Sequence, residues 1–372
     1  MKNSARVDRK ITRARTIFEK QGVEGLAGAA AKKLRRRSRR VMEFGIRPHL
    51  LPFRMKHLQG PSKIRYGGEE LLVTCVVRNG EIYVKSFMEY YLSLGVAHFV
   101  FLDNGSSDNT VAKLTGWKNV TLLQTTAPYK KYENTMKRYL AERFSRGRWN
   151  LCVDIDEHFN YPYADRLTLR DFLRYLNSNN YTAVAAQMLD RFSALPFTEL
   201  KTATDEPLEE TFPYYDISAI TRTEYVWSPP SNRAIKFHTG GIRKTIFGTD
   251  TNLTKSPLVL IDGRVKTFVA WHHVQRARMA DISCVLMHFP FVGSFSEKVE
   301  DAARTGRYGA VSTDDYRTYA EKLRQNPDLK LKLQSAQRFI SLEQLISSEF
   351  LIISEKYQRW VSAHAQQGTA AR

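Results

Sequence analysis

An α/β fold with a mixed, mostly parallel sheet and flanking helices is what this sequence predicts, on two observations. From Glu70 onward, short apolar runs alternate with stretches of helical period, the pattern of βαβ units. Clusters of Asp, Asn and Arg follow several of those runs, and an open parallel sheet gathers its ligands at the carboxyl ends of its strands.

Leu71 to Val77 is apolar apart from Thr74 and Cys75 and reads as a buried strand. Ile82, Phe87, Tyr90, Tyr91 and Leu94 fall at helical spacing, with Gly95 as the stop. His98 to Asp103 is a second strand, Asn109 to Leu114 a short helix and Val120 to Gln124 a third strand. A longer helix is expected from about Tyr132 to Ser145, ending before Gly147. Trp149 to Ile155 is the fourth strand and runs into Asp154-Ile155-Asp156-Glu157. Leu169 to Leu176 fits a helix and Thr182 to Leu189 a fifth strand.

Between Asp190 and His273 the chain is richer in Pro, Thr and Tyr, which predicts loops and short antiparallel strands. Helix is expected again from Thr313, capped by Ser312-Thr313-Asp314-Asp315, while Gln366 to Arg372 has nothing to bury. The expected organisation is a basic N-terminal arm over 1–67, partly helical or disordered, with a helix from Ile11 to Leu34. An α/β domain over 68–310 and C-terminal helices with a tail over 311–372 follow.

The net charge of +19 is concentrated. Between Met1 and Tyr66 lie 19 Lys and Arg against 4 Asp and Glu, so the arm carries +15 and the remaining 306 residues +4. A nearly neutral body argues against a nucleic-acid partner. Clustered Lys and Arg are drawn to anionic headgroups at roughly 1 kcal/mol per residue, so an anionic membrane surface is the expected partner of the arm. A nucleic-acid-binding protein that uses the arm is the alternative from another class. Cys75, Cys152 and Cys284 sit in apolar runs without CxxC spacing, and their odd number argues against a disulfide framework. A cytoplasmic setting, peripheral at the inner membrane face, is expected: no run approaches the ~18 apolar residues of a membrane span, and no apolar stretch of a signal peptide follows the first charges.

The acids after the fourth strand are the sharpest feature. Three carboxylates within four residues at one sheet edge are costly unless a cation neutralises them. Mn²⁺ or Mg²⁺ suits oxygen ligands; the bland alternative is a turn or helix cap. Arg78 and Asn79 follow the first strand, and Asp190 follows the fifth. The loop Asp103-Asn104-Gly105-Ser106-Ser107-Asp108 offers an acceptor and a donor to a base or ribose edge, or else caps the next helix. It is neither a GxxxxGK[ST] loop nor a GxGxxG fingerprint, which weighs against kinase and dinucleotide readings. His288, within an apolar run, is either a core histidine or a ligand. Arg233, Arg243 and Lys244 are candidates for phosphates or an acidic acceptor, or are plain surface cations. His272-His273, being adjacent, cannot easily face one metal.

Val76-Val77-Arg78-Asn79-Gly80-Glu81-Ile82-Tyr83-Val84, then Phe87, Tyr91, Leu94-Gly95-Val96, His98-Phe99 and Leu102 through Asp108, resemble the opening of the family 2-like glycosyltransferases. The similarity is to the branch in which a helix ending "LGV" precedes a "DNGSxD" loop. Asp154 through Phe159 is similar to that branch's "DxDEF" metal motif, and Gly240 to Lys244, Leu253 to Val259 and Leu286 to Phe289 resemble its later landmarks. The likeness covers roughly Leu71 to Leu323, and Gly80 departs from it, standing where many relatives have Asn directly followed by Glu.

The resemblance implies a GT-A fold, the Rossmann-like nucleotide-diphospho-sugar transferase architecture. The implied reaction moves a sugar, with inversion, from a nucleotide-sugar donor to a glycan or lipid-linked acceptor. Asp103 and Asn104 would touch the nucleoside, with Arg78 beside it. Asp154 and Asp156 would hold Mn²⁺ or Mg²⁺ bridging the phosphates, with His288 completing the shell. A cation so placed stabilises the charge that develops on the leaving diphosphate. Inversion also needs a base near the attacking hydroxyl; Asp190 is the candidate, with Asp216 and Glu224 in reserve. Nucleotidyl transfer on a similar fold is a further alternative, opposed by the lack of a glycine-rich, Arg- or Lys-bearing loop after the first strand.

Overall fold

The computed structural model describes residues 31–35, 37–38, 41–200, 207–270 and 273–368. Contacts divide the chain into two units, 1–53 and 54–372. In the first, the described residues between 31 and 50 are helical, with a π-helical turn at Met42–Ile46 and a short helix Arg47–Leu50 that has Pro48 in its first turn. Most of the helix expected from Ile11 to Leu34 lies outside the described residues.

The second unit is built on a ten-stranded sheet. Its strands are β1 (Met55–Gln59), β2 (Leu71–Val77), β3 (His98–Asp103), β4 (Val120–Thr125), β5 (Trp149–Cys152), β6 (Glu157–Asn160), β7 (Ala183–Asp190), β8 (Thr254–Lys255), β9 (Leu258–Leu260) and β10 (Met279–His288). Their order is β1-β4-β3-β2-β5-β9-β7-β10-β6, with β8 alongside β7. Strands β2 to β5 are mutually parallel. β9 runs antiparallel to both β5 and β7, and β10 is parallel to β7, so six strands point the same way. The architecture is mixed α/β with a large, mostly parallel sheet, as expected. β1 falls in the stretch expected as basic arm, yet it pairs antiparallel with β4 from Met55 opposite Thr125.

Local sequence explains most elements. β2 and β3 are buried at every position, which is why they read as unbroken apolar runs. Helix α1 (Val84–Ser93) buries Val84, Phe87, Met88 and Tyr91, a stripe at helical spacing, and Gly95 closes it at a left-handed φ of 92°. Phe87 lies 5.7 Å from Phe101 across the helix–sheet interface. Helix α2 (Thr110–Thr115) and helix α3 (Tyr129–Phe144) follow β3 and β4. Helix α4 (Leu169–Ser178) is capped by the Thr168 hydroxyl, which accepts from Asp171 N.

The fourth strand stops at Cys152, three residues short of expectation, and residues 154–156 form a turn into β6. Short antiparallel pairs do appear after Asp190, among them Ile220–Thr223 with Phe237–Gly240. Helix α5 (Ile242–Phe247) follows that hairpin, and helix α6 (Phe295–Thr305) follows β10. Helix α7 (Ala310–Gln325) starts before the expected Ser-Thr-Asp-Asp cap, at Gly309. Tyr319 and Ala320 of α7 share one apolar cluster with Phe295 and Val299 of α6, while Leu345, Tyr357 and Val361 join the main core.

Candidate functional site

Because β2, β3, β5, β7 and β10 are codirectional, their carboxyl ends deliver Arg78, Asp103, Asp154, Asp190 and His288 to one edge. The chain leaves β2 for β3 and β4 on one side and returns to β5 on the other, so a switch in strand order lies between β2 and β5. Such a switch opens a crevice at the carboxyl edge.

Pairing register assembles the centre of the site. His288 stands opposite Asp190 in the parallel β7–β10 ladder and opposite Glu157 in the antiparallel β6–β10 ladder. The start of β6 is pinned by Tyr91 of α1, whose hydroxyl donates to Glu157 O at 2.9 Å and accepts from Phe159 N at 2.8 Å. Phe289 N donates to Asp156 O at 2.9 Å, which holds the acidic turn against the end of β10. His288 is thereby bracketed: Nδ1 lies 2.6 Å from Asp190 Oδ1 and Nε2 lies 3.6 Å from Asp156 Oδ2. Burial alone would lower the His288 pKa, but Asp156 and Asp190 outweigh it and raise it.

Asp190 is also forked by Arg243, Nε to Oδ2 at 2.7 Å and Nη2 to Oδ1 at 2.8 Å. Burial would raise the Asp190 pKa; the Arg243 guanidinium and His288 overcome that and hold it well below the usual carboxylate range. This geometry disfavours Asp190 as a general base, whose affinity for a proton should be matched to working pH. Its chain neighbour Arg191 points elsewhere and lies buried over the Phe339 ring at 4.5 Å. Gly240 and Gly241 deliver Arg243. Both have positive φ, and a Cβ on Gly240 would stand 2.6 Å from Ala219 O.

The two aspartates of the acidic turn part company. Asp156 is buried and meets Lys298 of α6 at 3.2 Å besides His288. Burial pushes the Asp156 pKa up, but Lys298 and His288 pull it far below normal. Asp154 is instead held by Lys137 of α3 at 3.0 Å and Lys255 of β8 at 3.1 Å, and Lys255 also pairs with Glu157. Asp154 and Asp156, expected to ligate one cation together, thus lie in different ion pairs. Glu133, Asp154, Asp156, Glu157 and Asp190 thus meet Lys137, Lys255, Lys298 and Arg243 in ion pairs, with His288 set between Asp156 and Asp190. Among the described residues no group of three or more His, Cys, Asp or Glu side chains is arranged to hold a metal ion.

The nucleoside residues are committed to their own loop. Asp103 is fully buried and accepts from Gly105 N, Ser106 N and Gln124 Nε2. The Asn104 amide donates to Thr125 O and Ala127 O. Asp103 thus braces the left-handed turn at Gly105, φ 74°, and Asn104 ties the loop to the end of β4. Asn79 Oδ1 accepts from Ser107 N, and Glu81 accepts from Asn109 N and Nδ2, so the two loops cap one another. Gly80 is required there, since a Cβ would meet Val77 Cγ2 at 2.7 Å. Arg78 is exposed beside these loops.

The reserves lie elsewhere. Asp216 accepts from Ser218 N and Ser335 Oγ, and Glu224 pairs with Lys236 at 2.6 Å. Arg233 is exposed, and Lys244 bonds Thr221. His273 is a core residue stacked on Trp227; His272 lies outside the described residues. Sequence reasoning missed the lysines. Lys255 sat within a quoted landmark, but Lys137, next to Arg138, and Lys298 look like ordinary helix cations, with nothing local to mark them.

Fold and site together define a mixed α/β protein of Rossmann-like build with a group of paired charges at the carboxyl edge of its sheet. No family model matches the chain, and no curated protein matches it. The crystal structure of S. aureus TarS 1–349 is similar over 38% of this chain and 43% of its own, at 18% identity and a TM-score of 0.26. That of S. aureus TarS is similar over 32% and 22%, at 19% identity and a TM-score of 0.25. The chain spans less than half the length of either.

Proposed function

We propose that the second unit is a glycosyltransferase of GT-A type, moving a sugar with inversion from a nucleoside-diphosphate donor to a glycan or lipid-linked acceptor. The observation that carries the reading is the line Asp156–His288–Asp190–Arg243 at the carboxyl edge. A histidine that gives one ring nitrogen to a carboxylate and turns the other toward a second carboxylate has the arrangement of a metal ligand with its supporting shell.

The residues fit Mn²⁺ or Mg²⁺ held by Asp156 and His288, with the remaining positions left to donor phosphates and water, as is usual for Mg²⁺. Once bound, the ion would neutralise charge on the leaving diphosphate. Asp190 orients His288 and Arg243 fixes Asp190, so in this reading Asp190 is a positioning residue rather than the base. Lys298 pairs with Asp156 and would give way to a bound ion. In this reading the donor phosphates would complete the ion's shell, so nucleotide and ion are expected to bind together.

The test is a thermal-shift titration of nucleoside diphosphates and sugar nucleotides with and without Mn²⁺. Stabilisation of about 2.7 kcal/mol at a hundred times the dissociation constant is expected for nucleotide plus ion. Asp156→Asn should lose the ion dependence while staying folded. Nucleotide stabilisation that ignores Mn²⁺, or persists unchanged in Asp156→Asn, would overturn the assignment.

A further inference from the structure

The first unit exposes apolar side chains that nothing in the second unit's chemistry uses. Phe53 is 90% exposed and Leu34 70%, and Val41, Ile46 and Leu50 are also exposed. Exposed apolar residues of the second unit, such as Leu92, Leu195, Val226 and Ile340, are far apart in sequence. Between Ala31 and Phe53 the sequence also holds eight Lys and Arg against the single acid Glu43.

We propose that the segment from residue 31 to Phe53, whose described residues up to Leu50 are helical, docks on an anionic lipid surface. Its apolar side chains enter the headgroup boundary, and its cations pair with acidic headgroups. Apolar residues interleaved with a dense positive charge are what an interfacial helix needs. No helix among the described residues is long and apolar enough to cross a membrane, so the segment lies on the surface. Nucleic acid would use the cations and leave Phe53 and Leu34 without a role. A second copy would bring eight more like charges against the first.

The experiment is co-sedimentation of the full chain with phosphatidylcholine vesicles, with and without phosphatidylserine, at low and high salt, and it does not depend on the glycosyltransferase reading. Binding is expected with phosphatidylserine and not without it. The triple variant Leu34→Ser, Val41→Ser, Phe53→Ser should weaken binding by about tenfold. Lys32→Glu, Lys33→Glu, Arg35→Glu and Arg37→Glu together should abolish it. Equal binding of the wild-type chain to both vesicles, or binding to neither, would refute the proposal. So would an apolar triple variant that binds fully, binding to duplex RNA in place of vesicles, or self-association abolished by the triple variant.

Discussion

His288 and Asp190 stand in register at the ends of two parallel strands, with Nδ1 of the first 2.6 Å from Oδ1 of the second. The contact is a product of topology: the residues are 98 apart in sequence and meet because β10 pairs with β7 rather than with its neighbours in the chain. Arg243 completes the arrangement from a separate hairpin.

That relationship makes Asp190→Asn informative. The amide keeps the shape but removes the charge that orients His288, and it leaves Arg243 without its counter-ion. Breaking a buried pair by removing one partner costs about 3–5 kcal/mol. Loss of a supporting carboxylate costs roughly 10–100-fold in metal affinity or activity. A melt and a Mn²⁺ titration in the presence of nucleoside diphosphate measure the two effects. An Asp190→Asn protein with unchanged stability and unchanged ion dependence would remove Asp190 from the site.

How far the sequence reached follows the range of the interactions. β2, β3 and α1 were legible because burial on both faces and a stripe at helical spacing are local signals. β6 was not, since Glu-His-Phe-Asn has no strand pattern and is extended because β10 lies beside it. The acidic turn was legible as a cluster, but its electrostatics were not. Lys137, Lys255 and Lys298 reach it from 17, 101 and 142 residues away, and each acid of the repelling triplet gains a cation partner.

Gly240→Ala should test how Arg243 is delivered. At φ 92° an L-residue is strained, and the new methyl would stand 2.6 Å from Ala219 O. A strained backbone position costs about 1–3 kcal/mol, and relief requires the hairpin to shift and take Arg243 with it. A lower melting temperature together with weaker nucleotide stabilisation is expected. Loss of stability alone would place Arg243 outside the binding event.

Buried histidines outside the site should make the fold acid-sensitive. Burial pushes the His238 pKa down to about 3 and the His273 pKa down to about 4, from 6.5. Above pH 6.5 both states are neutral and neither histidine matters. As pH falls below that value the unfolded chain takes up protons that the folded chain refuses, so stability declines until the folded pKa is reached. At pH 5 each group costs roughly 2 kcal/mol. Denaturant melts at pH 7 and pH 5 should differ less in His238→Gln than in the wild-type chain; equal differences would show that His238 titrates normally.

Lys298 gives the last prediction, because it separates structural neutralisation from ion binding. Its ammonium is 3.2 Å from Asp156 Oδ2, on the side where the proposed ion would sit. Lys298→Met removes a competitor and leaves the cluster with one more negative charge. A charge this close is worth between about 1 and 4 kcal/mol depending on screening. Mn²⁺ alone, without nucleotide, should therefore bind about tenfold more tightly to the variant. The same change should make the apo protein less stable, since Asp156 keeps only His288 as a partner. Isothermal titration with Mn²⁺ and a melt without ligand read these opposite effects. If the variant is destabilised and its ion affinity does not rise, Lys298 and the ion do not share Asp156, and the cation must be sought elsewhere on the edge.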